Sequence, residues 1–379
     1  MSRKDLRSHP REDIGQELVW AEINLAHLKH NLRQLRRIVD RKTGILAIVK
    51  ADAYGHGMVR VAKTLEKNGV RFFGVANIHE AMELRKVCPG ASILVLGCPH
   101  PKQAPLYIKN NIIPTISCRE DALPFEKLLA ANLARSGFPV HVKIDTGMGR
   151  LGIWHKQAPQ LIRELADCKH LSIQGVYTHF ANADHREKKR TLKQIQYFQY
   201  LLKVLKQLKV KPRYVHAANS IGLVRFKKTH LNLVRPGLLL YGINPTGGPL
   251  PLRLKPVMIL KTRVALIKEV ETGRSISYGS TYKTKGRTKI AVLPIGYSHG
   301  YRVGFSNKTQ VVIQGRRYPV VGRVTMDQTL VDLGPKTSVR RWDEVFLIGG
   351  GISANELAGH ISSIPYEIVC SIHSRIPRF

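Results

Sequence analysis

The sequence predicts an α/β chain in two parts, an N-terminal (β/α)8 barrel of the TIM type and a C-terminal mostly β domain. Eight apolar runs rich in β-branched residues recur before residue 240, and most are separated by helix-like stretches. Beyond that point the chain becomes Gly- and Pro-rich and then continues as strands with little helix between them. We expect a basic N-terminal extension over 1–17, the barrel over 18–243 and the β domain over 244–379.

The predicted strands and helices of the barrel alternate along the chain. Asn24 is placed to cap the first helix, whose apolar side chains recur at the three-and-four spacing of one helical face. Further helices are predicted at 58–67, 78–87, 120–134 and 188–208. The strands are predicted near 45–50, 72–77, 92–97, 112–117, 139–145, 172–179, 214–219 and 231–236. Eight strands can close a barrel, and no Gly-x-Gly-x-x-Gly follows an early strand to favour an open dinucleotide-binding sheet.

The C-terminal part starts with the linker Asn244-Pro245-Thr246-Gly247-Gly248-Pro249, which is typical of a boundary between folded units. Its strands are predicted at 258–270, 289–293, 310–314, 329–333 and 344–348, with one short helix at 353–361.

The composition limits the class of protein. The formal net charge is +35, but the basic clusters are scattered and no nucleic-acid-binding motif accompanies them, so no dedicated nucleic-acid partner is expected. No run of about 18 apolar residues and no apolar signal segment occurs, so we expect a cytoplasmic protein that does not span a membrane. Five cysteines without a Cys-x-x-Cys pair argue against a disulfide framework or a zinc site, and no metal is expected. We expect these cysteines to be small buried side chains.

Lys50 ends the apolar run 45–49 and is followed at once by Ala51-Asp52-Ala53-Tyr54-Gly55-His56-Gly57. Burial disfavours the ammonium form, so such an amine can be neutral and nucleophilic and can condense with a carbonyl, which is how pyridoxal phosphate is carried. This segment alone leaves a second interpretation open, in which the lysine stem covers an apolar rim while the amine reaches water.

Other polar residues gather at the carboxyl ends of the predicted strands, where barrels place their active sites. They are Lys143 to Arg150 after the fifth strand, His179 after the sixth, Asn219 and Ser220 after the seventh, and Arg235 and Gly237 after the eighth. The last two loops often bind phosphate in barrels, and the Ser220 hydroxyl and the backbone of Gly237 and Leu238 fit that role. Taken singly, Ser220 could instead cap a helix, Gly237 could serve a turn, and Lys143 could pair with Asp145.

Arg235 has a specific consequence if it faces a pyridine nitrogen. A guanidinium cannot give up its proton, so the pyridine stays largely unprotonated. The ring is then a weaker electron sink, which favours simple proton exchange over decarboxylation or transamination.

The segment 49–57 closely resembles the pyridoxal-phosphate attachment segment of alanine racemases. Further segments resemble the other signatures of that family in the same order: 141–152, 177–181, 217–220, 234–237, 277–282, 295–297 and 322–328. The resemblance runs from about Trp20 to the C-terminus. It implies a fold-type III pyridoxal-phosphate enzyme that works as a homodimer with shared active sites, in which the β domain of one subunit completes the site of the other.

The resemblance also implies roles for individual residues. Lys50 would carry the cofactor as a Schiff base and act on one face of the substrate Cα, and Tyr278 of the partner subunit would act on the other. Two opposed bases are needed because inversion removes a proton on one side and returns it on the other. A chain from His179 to Arg235 would favour the base form of that tyrosine.

The remaining implied site residues bind the cofactor or the substrate. Those that would bind the cofactor are Tyr54, His179, Asn219, Ser220, Arg235, Gly237 and Leu238, with Tyr54, Ser220, Gly237 and Leu238 on the phosphate. Arg150 and the partner's Met326 would meet the substrate carboxylate, and Lys143 corresponds to a lysine that is carbamylated in many members. Two positions depart from the family pattern: Ser374 replaces a tyrosine that contacts phosphate in some members, and His299 replaces a common acidic residue.

The resemblance implies interconversion of L-alanine and D-alanine, with D-alanine supplied to bacterial peptidoglycan. A racemase of another small amino acid, such as serine, would share every catalytic residue. A non-catalytic pyridoxal-phosphate carrier is disfavoured by the β domain with Tyr278 and Met326. A decarboxylase of the same fold type is disfavoured by Arg235, because such enzymes use a carboxylate at the pyridine nitrogen.

Overall fold

The computed structural model describes residues 11–131 and 137–379. The strands of the first 240 residues are β1 (Val19–Ile23), β2 (Gly44–Ile48), β3 (Phe72–Val75), β4 (Ser92–Val95), β5 (Thr115–Ile116), β6 (Phe138–Asp145), β7 (Ile153–Trp154), β8 (Leu171–Tyr177), β9 (Tyr214–His216) and β10 (Leu233–Val234). The helical segments there are α1 (Leu25–Ile38), α2 (Lys50–Gly55), α3 (Met58–Lys67), α4 (Ile78–Val87), α5 (Ala104–Lys109), α6 (Arg119–Ala131), α7 (Ala158–Ala166), α8 (Lys189–Gln207) and α9 (Ser220–Arg225).

Eight parallel strands close the predicted barrel. Strands β10, β2, β3 and β4 form one run of parallel neighbours, and β5, β6, β8 and β9 form another. Ile113 joins the two runs on one side, because its N–H donates to the Ile93 carbonyl at 2.8 Å and its carbonyl accepts from Val95 at 3.0 Å. On the other side the Arg235 N–H donates to the Ala218 carbonyl at 2.9 Å, just beyond the ends of β10 and β9. The prediction of a barrel is therefore confirmed.

The predicted helices match closely where the apolar spacing is regular. The bounds of α3 and α4 are those expected, and the Asn24 side chain caps α1 by accepting the His27 N–H at 3.0 Å. Helix α6 begins one residue before the predicted helix, and residues 132–134 of that prediction lie outside the described residues. Of the expected N-terminal extension, residues 1–10 also lie outside them, whereas Arg11–Gln16 form a 3₁₀ turn.

The C-terminal part is mostly β, as predicted. Its strands are β11 (Met258–Arg263), β12 (Leu266–Val270), β13 (Ser275–Ile276), β14 (Tyr282–Lys283), β15 (Thr288–Leu293), β16 (Gln310–Ile313), β17 (Arg316–Pro319), β18 (Thr329–Asp332) and β19 (Glu344–Ile348), and its helices are α10 (Ala354–His360) and α11 (Pro365–Cys370). The single strand expected at 258–270 is two strands, because β11 pairs with β1 and β19 whereas β12 pairs with β15 in another sheet.

Both ends of the described chain pack against this second part. Strand β1 pairs antiparallel with β11, so Val19–Ile23 extend the C-terminal sheet although the sequence grouped residues from 18 onward with the barrel. The C-terminus lies beside β1, with the Ala21 N–H donating to the Pro377 carbonyl at 2.9 Å. One continuous apolar core joins the barrel to the β domain. This arrangement carries the C-terminal residues to the barrel segment that follows Lys50.

Two further sequence expectations concern cysteines and membranes. All five cysteines are free, but Cys98 and Cys370 are exposed, so the expectation that they are all buried is wrong. Cys98 follows β4 at the open end of the barrel, where side chains are no longer covered by the helices.

Within 11–131 and 137–379, no helix combines the length and apolarity needed to cross a membrane.

Candidate active site

A cavity of about 630 Å³ opens at the carboxyl ends of the barrel strands. Nine of the predicted site residues line it: Lys50, Tyr54, Lys143, Arg150, His179, Asn219, Ser220, Arg235 and Gly237. Leu238 is fully buried directly after Gly237. The rule that barrel chemistry gathers at strand ends therefore placed these side chains around one cavity.

Lys50 follows β2 at the edge of this cavity. Burial, followed by the charge of Arg150, lowers the pKa of its amine below the ordinary lysine value, whereas Glu80 and Cys370 act in the opposite direction. A lowered pKa increases the fraction of neutral amine, which is the nucleophilic form. Burial and a lowered pKa favour the nucleophile interpretation over the one in which the amine reaches water.

Arg235 is buried and lines the cavity, and both Nη atoms of its guanidinium contact neighbouring groups. Its Nη1 contacts His216 Nδ1 at 2.9 Å, and its Nη2 donates to the carbonyls of Thr178 at 2.6 Å and Ala217 at 3.0 Å. A longer contact of 3.4 Å joins Nη2 to His179 Nδ1, the two residues that the family resemblance links. Burial lowers the pKa of Arg235 to about 10, so the group remains a cation at neutral pH.

The two histidines beside Arg235 are neutral. Burial and then the charge of Arg235 lower the pKa of both His179 and His216 well below the ordinary value. Because a guanidinium only donates, His216 must accept at Nδ1 and carry its proton on Nε2. Both hydrogens of Nη2 are used by the Thr178 and Ala217 carbonyls, so the 3.4 Å contact does not assign the tautomer of His179.

The loops after β9 and β10 meet on another wall. The Gly237 N–H donates to Ser220 Oγ at 2.9 Å, and Asn219 caps α9 by accepting the Gly222 N–H at 2.8 Å. The helix cap is thus Asn219, and Ser220 is free of the capping role that the sequence left open. A Cβ at position 237 would lie 2.7 Å from Tyr54 Oη, so glycine is required for this close approach.

Arg150 is presented by a loop that Asp145 organises. The Asp145 carboxylate accepts the N–H groups of Gly147 and Met148, each at 2.8 Å, and that of Arg150 at 3.1 Å. Asp145 thus organises the loop backbone, and no ion pair between Lys143 and Asp145 occurs in the described part of the chain. Burial and the charges of Arg150 and Arg235 lower the pKa of Lys143 to about 8.

The cavity is strongly cationic. Lys50, Lys143, Arg150 and Arg235 all line it, and the only acidic lining residue in the described part of the chain is Asp184. Four neighbouring cations in a partly enclosed space favour a ligand that carries more than one negative group.

Tyr278 and Met326 lie away from this cavity within one chain. They are 70% and 54% exposed, and neither lines the cavity. Their loops are tied together, because Ser277 Oγ donates to the Arg323 carbonyl at 2.6 Å. One chain therefore does not bring Tyr278 to Lys50, and a second subunit would have to do so.

The two departures from the family pattern lie in different surroundings. His299 accepts the Gly296 N–H at Nδ1 at 3.3 Å, and the adjacent Ser298 Oγ donates to the Met326 carbonyl at 2.8 Å, so this segment supports the Met326 loop. Ser374 is exposed and does not line the cavity.

Sequence reasoning missed several residues at the cavity. Tyr177 lines it and His216 holds Arg235 from below; both end strands, so the strand-end rule could have found them. Tyr366 also lines the cavity and comes from α11 in the β domain; its ring centre lies 5.9 Å from that of Tyr54. No local pattern indicates that this helix reaches the barrel.

Comparisons with known proteins agree along the chain. The family model described as alanine racemase, N-terminal domain, matches residues 23–245, and that of the C-terminal domain matches 257–379. The alanine racemase of Halothermothrix orenii is 42% identical over 365 residues, which cover 95% of this chain and 96% of that protein.

Solved structures show the same likeness. An alanine racemase structure from Clostridium difficile 630 superposes with a TM-score of 0.91 at 37% identity and covers 96% of this chain and 95% of that one. The alanine racemase of Bartonella henselae, solved with covalently bound pyridoxal phosphate, has a TM-score of 0.88 at 30% identity and covers 96% and 99%.

Proposed function

The chain belongs to the alanine racemase family, and on that basis we propose that Lys50 and the partner subunit's Tyr278 are its two catalytic bases. The protein is an amino-acid racemase that uses pyridoxal 5'-phosphate to interconvert L-alanine and D-alanine. The observation that supports the residue assignment most strongly is that Lys50, Arg235 and the Gly237 loop line a single cavity.

The residues around the cavity fit the cofactor. Tyr54 Oη, Ser220 Oγ and the backbone of Gly237 and Leu238 lie close together on one wall and would hold the phosphate. Asn219 fixes the start of α9 next to this wall. Arg235 and His179 would contact the pyridine ring, and Lys50 Nζ would hold the aldehyde carbon. When bound, pyridoxal phosphate supplies the conjugated ring that accepts electron density from the substrate Cα.

Each base would serve one face of the substrate. Lys50 Nζ would remove or return the Cα proton on its own face, for which a lowered pKa is favourable. Tyr278 Oη, on an exposed loop, would enter the cavity of the partner subunit and serve the opposite face. With its proton on Nε2, His179 would stabilise the phenolate form of that tyrosine.

The substrate carboxylate would bind Arg150 and the partner's Met326. Asp145 holds the Arg150 backbone in place, so the guanidinium is presented on a fixed loop. Lys143 would be carbamylated: its neutral amine forms a C–N bond with CO₂ and loses one proton, which leaves an anionic carbamate. The pKa of about 8 provides neutral amine for this reaction, and the carbamate would turn a cation beside Arg150 into an acceptor that orients it.

The setting that we propose is a cytoplasmic homodimer that supplies D-alanine for peptidoglycan. Five free cysteines are consistent with a reducing compartment. The exposed Tyr278 and Met326 support a dimer, because their proposed roles need a second subunit. Alanine is the substrate that the relatives' names carry, and rates across a panel of small amino acids would test whether serine is also accepted.

The decisive experiment compares the wild-type protein with Lys50→Ala. We expect the wild type to show the absorbance band of a lysine-bound cofactor near the visible edge and to racemise alanine. Lys50→Ala should lose both. A variant that keeps the band, or a wild type without alanine racemisation, would contradict the assignment.

A further inference from the structure

The segment after Lys50 has an unusual backbone. Ala51, Asp52, Ala53 and Tyr54 have φ between 51° and 55° and ψ between 45° and 52°, so they form one left-handed helical turn. L-residues with side chains disfavour this conformation, and four in succession persist only where the surroundings hold them. The turn links Lys50 to Tyr54, so its conformation determines where both side chains enter the cavity.

Glu80 holds the first residue of this turn. Its Oε1 accepts the Ala51 N–H at 2.8 Å, and its Oε2 accepts the Ala76 N–H at 2.7 Å. Ala76 follows β3, so one carboxylate bridges the carboxyl ends of two neighbouring barrel strands. Asn77 caps α4 and accepts the Glu80 N–H at 3.0 Å, which places the glutamate at a fixed point in the first turn of that helix.

The far end of the turn is held by other groups. His56 Nδ1 lies 3.0 Å from the Ala53 carbonyl and 2.8 Å from that of Tyr54, and Arg378 Nε donates to the Gly55 carbonyl at 2.8 Å. These contacts satisfy carbonyls, whereas the Glu80 contact satisfies the N–H directly after Lys50. A hydrogen-bond acceptor thus holds the start of the turn, and hydrogen-bond donors hold its end.

We propose that Glu80 is a positioning residue for Lys50, whose carboxylate keeps Ala51 left-handed and thereby directs the lysine side chain into the cavity. The inference rests on the proposed role of Lys50 as cofactor carrier and base. Glu80 also acts electrostatically, because its charge opposes the lowering of the pKa of Lys50 by burial and Arg150. Neutralising Glu80 should therefore lower that pKa further.

The test compares Glu80→Ala and Glu80→Gln with Glu83→Gln, an exposed glutamate on the same helix that serves as control. Glutamine has one acceptor oxygen where the carboxylate has two, so it can replace only one of the two hydrogen bonds. We expect kcat to fall about tenfold or more in Glu80→Ala and less in Glu80→Gln, because misplacing a reacting group slows chemistry. KM should change less than kcat, and Glu83→Gln should match the wild type.

Two readouts do not depend on turnover. Hydrogen exchange of the peptide spanning 49–57, measured in the apoprotein, should be faster in both Glu80 variants. The pH at which half of the protein attaches pyridoxal phosphate should shift downward in Glu80→Gln, because the negative charge is lost while the shape is kept. Wild-type exchange rates together with an unshifted midpoint would overturn the proposal.

A rescue experiment separates positioning from general stability. Glycine adopts positive φ without the penalty of a Cβ, so Ala51→Gly should recover part of the kcat and exchange protection lost in Glu80→Ala. Thermal melting checks that Glu80→Ala and the double variant are both folded. If they are folded and the double variant shows no recovery, the proposal is overturned. If the wild type fails to attach the cofactor at Lys50, the proposed function fails, whereas the exchange data still decide whether Glu80 holds the turn.

Discussion

Arg235 Nη1 lies 2.9 Å from His216 Nδ1 beneath the cavity, and His216 Nε2 lies 3.0 Å from His141 Nδ1. The guanidinium can only donate, so we infer that His216 accepts at Nδ1 and donates from Nε2 to His141. Gly175 leaves room for the His141 ring, because a Cβ at that position would lie 2.4 Å from it. A buried chain of hydrogen bonds thus extends from the proposed pyridine contact into the barrel interior.

The contact predicts a difference between two substitutions of His216. Phenylalanine keeps the stacking of this ring on Tyr177, whose ring centre lies 4.6 Å away, but leaves a buried Arg235 N–H unpaired. We expect His216→Phe to lower the free energy of unfolding by about 1–3 kcal/mol and to reduce kcat. Glutamine retains an acceptor, so His216→Gln should lose less unfolding free energy and less kcat than His216→Phe. Urea unfolding and steady-state kinetics measure these effects, and equal losses in the two variants would contradict the explanation.

Mixing subunits tests whether Tyr278 acts across a dimer. Lys50→Ala and Tyr278→Phe should each be nearly inactive alone, and Tyr278→Phe should retain Cα proton exchange from one enantiomer in deuterated solvent. After random reassociation of an equal mixture, half of the dimers contain both kinds of subunit, and each of these has one intact site. We therefore expect about a quarter of the wild-type activity.

The control is a mixture of Lys50→Ala with itself after the same treatment, which should stay inactive. Absence of recovered activity in a mixture whose subunits have exchanged would show that Tyr278 does not serve the partner's site.

Gly237→Ala tests the proposed phosphate wall. The added Cβ would lie 2.7 Å from Tyr54 Oη, so either the tyrosine or the loop must move. We expect the affinity for pyridoxal phosphate to fall by about tenfold or more, since the loss of one good polar contact has that effect. Gly248→Ala is the matched control, because a Cβ there meets nothing within 4 Å. Cofactor titration of the two apoproteins gives the comparison, and equal affinities would contradict the assignment.

Lys143 makes stability depend on pH. Its pKa is about 8 in the folded protein against an ordinary lysine value of 10.5, so the folded state binds fewer protons between these values. Burial and the neighbouring cations together disfavour the ammonium form by on the order of 3 kcal/mol below about pH 8, and this cost disappears as the pH rises toward 10.5. In CO₂-free buffer, Lys143→Met apoprotein should be more stable than the wild type at pH 7, and the difference should shrink at alkaline pH. A stability difference between the two proteins that is constant from pH 7 to 10 would contradict the lowered pKa of Lys143.

Much of the barrel was predictable because its signals are local. Each strand is a short apolar run, α3 and α4 have regular apolar spacing, and the active end follows from strand direction alone. Residues as distant in sequence as Lys50 and Arg235 were therefore expected around one cavity, and they line it. Their chemical roles remain proposals, because lining a cavity does not by itself assign a role.

Other features could not be predicted because they depend on pairing between distant segments. The sequence groups residues 19–23 with the barrel, yet they form β1, which pairs with β11 more than 230 residues away. The expected burial of Cys98 and Cys370 was wrong because their exposure depends on which neighbours the fold places beside them. The contact of Arg378 with the Gly55 carbonyl likewise requires the C-terminus to return to the barrel.

By itself, the sequence determined the order of the eight barrel strands, the barrel class and the set of charged residues at its open end, because these follow from local periodicity and chain direction. Only the tertiary structure decided the left-handed turn after Lys50, the tautomer of His216 and the exposure of Tyr278. These depend on neighbours from distant parts of the chain: Glu80 holds Ala51, Arg235 sets the proton of His216, and the side chain of Tyr278 is 70% exposed within one chain.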